Sequence, residues 1–186
     1  QEIAANGMVK FYEAFSNNTL DFFTFYPTVD QKTAEKNTLL PLGTTTLNRT
    51  ITSEKPELQK NVVLISIESL SAAYMKAYGY EESVTPFLDQ LAQKSLFFTN
   101  LYATGNRTVR GLEALTLCIP PTAGESVIKR EKENKNKFTT GSVFKSKGYS
   151  VKYLYGGYSY FDNMKDFYAG NGYEIVDRDN FTPEEI

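Results

Sequence analysis

The sequence predicts an α/β fold. It reads as a mostly parallel sheet flanked by helices, incomplete within this chain and preceded by a helical lead-in. Three observations carry this. Residues 62–67, VVLISI, form a short run rich in β-branched side chains, the composition of a strand covered on both faces. From residue 61 onward, short apolar or aromatic runs alternate with stretches of helical spacing. Gly and Pro fall at the joints between them. The chain has 186 residues, 41% of them apolar, with 13 Phe and 13 Tyr, enough for the core of one domain.

The lead-in occupies residues 1–60. Met8, Phe11, Tyr12, Phe15, Leu20, Phe22 and Phe23 recur at helical spacing, interrupted by the polar turn Ser16-Asn17-Asn18 and ended by Pro27. This aromatic stripe is expected to contact the core of the main domain rather than to anchor at a membrane surface. A second, weaker helix is expected over 29–40, stopped by Pro41 and Gly43, with a polar connector over 44–56.

The main domain runs from 61 to 186. After the strand at 62–67 a helix is expected at 71–77, stopped near Gly79. Thr85-Pro86 opens the next helix, with Phe87, Leu88, Leu91 and Ala92 on one face. Residues 96–102 read as a second strand and 108–117 as a helix closed by Pro120-Pro121. The mixed-charge run at 128–137 reads as a solvated loop rather than a binding patch. A short helix at 140–147 ends at Gly148. A third strand follows at 149–155, then a helix at 161–168 and a short fourth strand at 172–176.

Composition excludes several functions. A net charge of −2 argues against a nucleic-acid partner. No run of 18 apolar residues is present to span a membrane. The single cysteine, Cys118, rules out an internal disulfide framework and a cysteine-cluster zinc site. It lies in an apolar run and is expected to be buried and inert rather than reactive. There is no histidine, although metal-dependent hydrolases and transferases usually need imidazole. Either the chain does no such chemistry or the histidines lie on sequence outside it. Gln1 without a preceding Met reads as an internal start or a processed end. Thr182-Pro183-Glu184-Glu185 reads as the opening of a helix that the chain does not complete.

Two places carry chemistry. Glu68 follows the first strand directly, and a carboxylate there must pair or bind a cation. It is a metal-ligand candidate; the plainer reading is a cap, with Ser69 and Ser71, for the next helix. Thr108 follows Gly105-Asn106-Arg107 at the expected start of a helix, where backbone N–H groups favour phosphate or sulfate. Arg107 and Arg110 add positive charge for an anion. A metal on the Thr108 hydroxyl would make it a nucleophile. A plain threonine N-cap beside two surface arginines is the alternative. Both candidates fall at the C-terminal ends of expected strands, where ligands of such folds bind.

Taken together, NVVLISIESLSA (61–72) with Tyr78-Gly79, TGNRTVRGLEAL (104–115), Pro120-Pro121, GYSVKYLYGG (148–157) and Phe161-Asp162-Asn163-Met164 resemble the alkaline phosphatase/sulfatase superfamily. The resemblance is nearest to its lipoteichoic acid synthase-like phosphoglycerol transferases and covers about two thirds of the chain. It implies Glu68 as a metal ligand, and Thr108 as a nucleophile also bound to the metal. Arg107 would be the basic residue that precedes the nucleophile. The implied cofactor is a divalent cation, commonly Mn²⁺ or Mg²⁺. The implied partners are a lipid-linked phosphoglycerol donor and a glycan or lipid acceptor. The implied location is the extracytoplasmic face of a bacterial membrane, with transmembrane helices before the lead-in. The family's Asp-His pair and further ligands are missing here, so the chain resembles the N-terminal part of a catalytic domain. Alone it is expected to be inactive, and to aggregate, dimerise or join its missing half. A phosphoethanolamine transferase is a close alternative. A sulfatase fits less well, because Thr108-Val109-Arg110 lacks the Cys or Ser nucleophile of that branch. A non-catalytic envelope lipid-sensing domain is the rival of a different kind.

Overall fold

The computed structural model describes residues 6–16, 21–48, 50 and 52–185. The chain divides into two units, one of Gln1–Leu20 with Gln90–Ile186, the other of Asp21–Asp89.

The helices follow their local signals closely. Helix α1 spans Gly7–Ser16, α2 Phe22–Phe25 and α3 Gln31–Leu42. Asp30 starts α3 by accepting the Thr33 N–H, and Gly43 ends it at φ 60°. Pro41 is accommodated in the last turn of α3 rather than stopping it. Helix α4 spans Pro86–Lys94, with proline in the first turn. Helix α5 spans Thr108–Leu117, as its pattern predicts. Helix α6, Thr140–Ser146, opens on a reciprocal box between Thr139 and Ser142, and Gly148, at φ 84°, follows it. Helix α7, Met164–Gly170, is entered through a 3₁₀ turn at Phe161–Asn163.

The sheet of the described residues is small. Strand β1, Lys152–Leu154, pairs in parallel with β2, Glu174–Val176, in the register Tyr153 to Ile175. Helix α7 lies in the connection between them, a βαβ crossover. The sequence places longer strands here; hydrogen bonding confines each to three residues.

The core belongs to this unit. Val109, Ile128, Met164, Phe167 and Tyr168 form the buried cluster, with Leu112, Tyr153, Tyr173 and Ile175 packed against it. The Tyr153 ring stacks on Tyr168 at 3.7 Å between centroids. The Tyr168 hydroxyl is hydrogen-bonded to Thr116 at 3.0 Å.

Several expectations are corrected. Residues 62–67 and 96–102 form no strand, and apart from the half-buried Phe97 their large apolar side chains are exposed, Val63 at 81% and Leu96 at 83%. A parallel strand needs neighbours to hydrogen-bond its backbone, and neither run has a ladder partner among the described residues. The helix expected at 71–77 is instead two 3₁₀ turns, Ala72–Tyr74 and Lys76–Tyr78, ended by Gly79 at φ 97°. The aromatic face of α1 is not core: no residue of that helix is buried. Residues 128–137 are only partly solvated, because Ile128, Arg130 and Asn134 are buried and Lys129 is half-buried, while Glu131, Lys132, Glu133, Lys135 and Lys137 are exposed. Cys118 is exposed, because it leaves α5 in the left-handed conformation at φ 57°. The expected helix after Thr182 is a single turn, in which Glu185 accepts the Thr182 N–H at 2.9 Å.

Candidate functional site

Thr108 is the first residue of α5, and packing fixes it there. Val109, Glu113 and Thr116 recur four and three residues apart on the buried face of the helix. Val109 joins the core, so its neighbour Thr108 sits at the rim, half-buried. Arg107 is the N-cap, extended at φ −130°, and makes no side-chain cap hydrogen bond. The contrast with Asp30 and Thr139 at the heads of α3 and α6 is chemical: a guanidinium has no acceptor to offer backbone N–H groups. The first turn of α5 contains no acidic residue. A cation at the positive end of a helix dipole is unfavourable unless an anion joins it.

The two arginines play different parts. Arg107 is exposed. Arg110 is turned inward: its Nη1 donates to Glu113 Oε2 at 3.2 Å, and its Nη2 donates to the Gly124 carbonyl. The expectation that both arginines serve an anion is therefore corrected for Arg110, whose charge is met by a carboxylate that is fully buried.

That carboxylate, Glu113, was not legible as a functional candidate. It also accepts the Ser126 hydroxyl at 3.1 Å and the Val127 N–H at 3.2 Å. It thereby ties α5 to the 124–128 segment. The available signal was its place on the apolar face, four residues after Val109. Gly105 explains the turn before Thr108. A Cβ added there would lie 2.5 Å from Arg110 Cβ and 3.4 Å from Pro121 Cγ, so only glycine allows this approach.

Glu68 lies in the other unit, at a turn just after 62–67. Ser69 follows it at φ 59°, an uncommon left-handed conformation for a residue with a side chain. The cap of the next turn is Ser71, whose hydroxyl accepts the Ala73 N–H at 3.2 Å. Ser71 thus plays the capping part that the alternative reading gave it together with Glu68 and Ser69.

A second buried carboxylate ends β2. Asp177 accepts the Ser159 N–H at 3.1 Å, the Ser159 hydroxyl, and the Asp179 N–H at 3.1 Å. The Ser159 hydroxyl, followed by these N–H groups, holds its carboxyl below the usual carboxylate range against the opposing effect of burial. It locks the loops that leave both strands, the edge of the sheet where α/β ligands bind.

A profile of the sulfatase family matches residues 60–185. The chain belongs to the sulfatase family. A solved protein of the alkaline phosphatase superfamily from Vibrio parahaemolyticus is 42% identical, over 61% of this chain and 28% of that one, with a TM-score of 0.57. This sulfatase-family chain therefore has the alkaline phosphatase superfamily fold, and its small parallel sheet with flanking helices is part of an incomplete α/β domain. It spans less than a third of the length of that relative. Enzymes of the superfamily generally use divalent metal ions. Among the described residues no three His, Cys, Asp or Glu side chains are grouped to hold one. A carboxylate at Glu68 and a hydroxyl at Thr108 are hard oxygen donors of the kind that suit Mg²⁺ or Mn²⁺.

Proposed function

We propose that this chain is part of a metal-dependent phosphoglycerol transferase of the lipoteichoic acid synthase type, with Thr108 as its nucleophile. The observation that carries the reading is the head of α5, where a hydroxyl stands at a helix start whose N-cap is an exposed arginine. Such a place favours an anion bearing several oxygens. Threonine at 108, in place of Cys or Ser, favours phosphoryl over sulfuryl chemistry within the family.

In the first half-reaction the Thr108 oxygen bonds to phosphorus, and the bond from phosphorus to the lipid alcohol breaks. The proton of Thr108 passes to the departing alkoxide, directly or through water. In the second half-reaction a hydroxyl of a glycan or lipid acceptor attacks phosphorus. The ester bond to Thr108 then breaks and Thr108 regains its proton. Arg107 holds the phosphoryl oxygens as charge develops on them. Glu68 and Thr108 would be two of the ligands of an Mn²⁺ or Mg²⁺ ion, with the others on the part of the protein beyond these 186 residues. When bound, that ion supplies acidity to the hydroxyl and charge neutralisation to the phosphoryl group. We place the protein at the extracytoplasmic face of a bacterial membrane, the location of the transferases it resembles; among the described residues no helix is long and apolar enough to cross a membrane.

The test uses the intact protein with Mn²⁺ and three probes: bis(p-nitrophenyl) phosphate, p-nitrophenyl phosphate and p-nitrocatechol sulfate. The diester is expected to turn over and the sulfate ester is not. Thr108→Ala should abolish turnover and Glu68→Gln should weaken the Mn²⁺ titration. Preference for the sulfate ester, or undiminished turnover by Thr108→Ala, overturns the reading. No turnover and no Mn²⁺ binding would favour a non-catalytic sensing domain. A natural donor carrying ethanolamine in place of glycerol would move the protein to the phosphoethanolamine transferases.

A further inference from the structure

We infer that Glu113 is a positioning residue for Thr108, acting through Arg110; this rests on the reading of Thr108 as the nucleophile. Glu113 has no solvent exposure, yet it is a carboxylate on the core face of the helix that Thr108 opens. Burying a carboxylate is costly unless it is paired and hydrogen-bonded. Here three donors from two segments converge on it: Arg110 Nη1, the Ser126 hydroxyl and the Val127 N–H, at 3.1 to 3.2 Å. An isosteric apolar residue would fill the same space without that cost. The carboxylate instead does one thing an apolar residue cannot: it fixes the direction of the Arg110 side chain.

That direction matters because Arg110 is the floor of the turn that carries Thr108. Its Cβ stands where a side chain on Gly105 would begin, so the two ends of the 105–110 segment meet, and Pro121 closes on the same point. Arg110 Nη2 reaches the Gly124 carbonyl, tying the turn to the segment that also contributes Ser126 and Val127. Thr108 lies midway along this closed segment. With Glu113 in place, the main chain on both sides of Thr108 is held. With Glu113 replaced by glutamine, the charged acceptor is gone and an amide nitrogen must face one of the donors, so Arg110 keeps only its tie to the Gly124 carbonyl at full strength, and the hydroxyl samples a wider range of positions. Reactions that depend on placement lose rate steeply with such freedom.

The experiment measures kcat and KM of Glu113→Gln for bis(p-nitrophenyl) phosphate in the intact protein with Mn²⁺. Active sites are titrated by the covalent burst on Thr108. The expected result is a fall in kcat per titrated site of between about tenfold and 100-fold, with KM little changed. Arg110→Gln should show the same loss, and the double variant no more than either single one, because the two act as a unit. Glu113→Asp should recover part of the rate. A merely structural role would lower the melting temperature and the number of titrated sites while leaving kcat per site unchanged, and that outcome overturns the inference. If Glu113→Gln does not fold, Arg110→Gln carries the same expectation and the same refutation. The failures are separable. Activity surviving in Thr108→Ala removes the nucleophile, and this inference with it. An inactive Thr108→Ala beside unaltered kcat per site in Glu113→Gln removes only the positioning role.

Discussion

Replacing Asp177 by Asn tests the lock at the end of the parallel sheet. Asp177 is 1% exposed and its carboxylate serves two N–H donors, Ser159 and Asp179, and one hydroxyl, Ser159. Asparagine keeps one oxygen, which can serve Asp179. Its amide nitrogen then faces the Ser159 N–H, donor against donor. The Ser159 hydroxyl can turn to accept from that amide, so the loss is the Ser159 N–H bond to a charged acceptor, worth up to about 3 kcal/mol. Lys165 stands 4.0 Å away and half exposed, so it adds little. That loss, about 3 kcal/mol at its upper end, corresponds to roughly a 150-fold increase in local opening. Amide hydrogen exchange reads this directly. Ser159 should exchange about two orders of magnitude faster in Asp177→Asn, while the Glu174 N–H, bonded to the Val151 carbonyl at 3.0 Å, should be unchanged. The pH dependence gives a second reading. The folded carboxyl titrates below its ordinary value, so its stabilisation is complete above about pH 4 and is lost as pH falls through the depressed value. Asp177→Asn should lack this acid limb. Unaltered exchange at Ser159, or an acid limb that survives the substitution, would refute the account of this carboxylate as the lock.

Two further outcomes follow from the same geometry. Gly105→Ala should cut turnover at least about tenfold, because the new Cβ meets a backbone-anchored Cβ at 2.5 Å and the head of α5 must move, at a stability cost of about 1–3 kcal/mol; wild-type turnover would show that the turn yields freely. Burial pushes the Tyr168 phenol up to about 12, with the Thr116 hydrogen bond pulling the other way. The native state therefore keeps a proton that the unfolded chain releases above about pH 10, so stability is complete below that pH and falls as pH rises toward 12. Comparing urea midpoints of Tyr168→Phe and wild type at pH 9 and pH 11 checks this, since the variant should lose less at the higher pH.

The parts of the fold that were legible are those set by near neighbours in sequence. Helix α5 begins and ends where its pattern predicts, and Gly43, Gly79 and Gly148 stop their elements through a positive φ that most side chains resist. The strands were legible only as apolar runs. A strand exists through its partner, and composition names no partner: 149–155 and 172–176 found each other, whereas 62–67 and 96–102 join no sheet among the described residues. Asp177 could have been found by the argument applied to Glu68, a carboxylate directly after a strand that must be paired or bound. Glu113 could have been found by reading α5 for a charged residue on its apolar face. Neither signal says whether the partner is a metal, a backbone amide or an arginine.

The arginines flanking Thr108 show where sequence reasoning needs structure. In sequence they are equivalent, two cations within three residues of a hydroxyl. Helix geometry separates them. Arg110 falls three residues before Glu113, within reach on the same face, and the pair is drawn inward at 3.2 Å. Arg107 precedes the first helical residue, has no such neighbour on the helix face, and stays exposed. The inward arginine is neutralised by the core and shapes the turn. The outward one leaves its charge beside the positive end of α5. A helix head that concentrates positive charge without an acidic residue in its first turn lowers the stability of the free protein slightly and raises its affinity for an anion. That trade fits the proposed role of Thr108, whose substrate would be an anion bound at the head of α5.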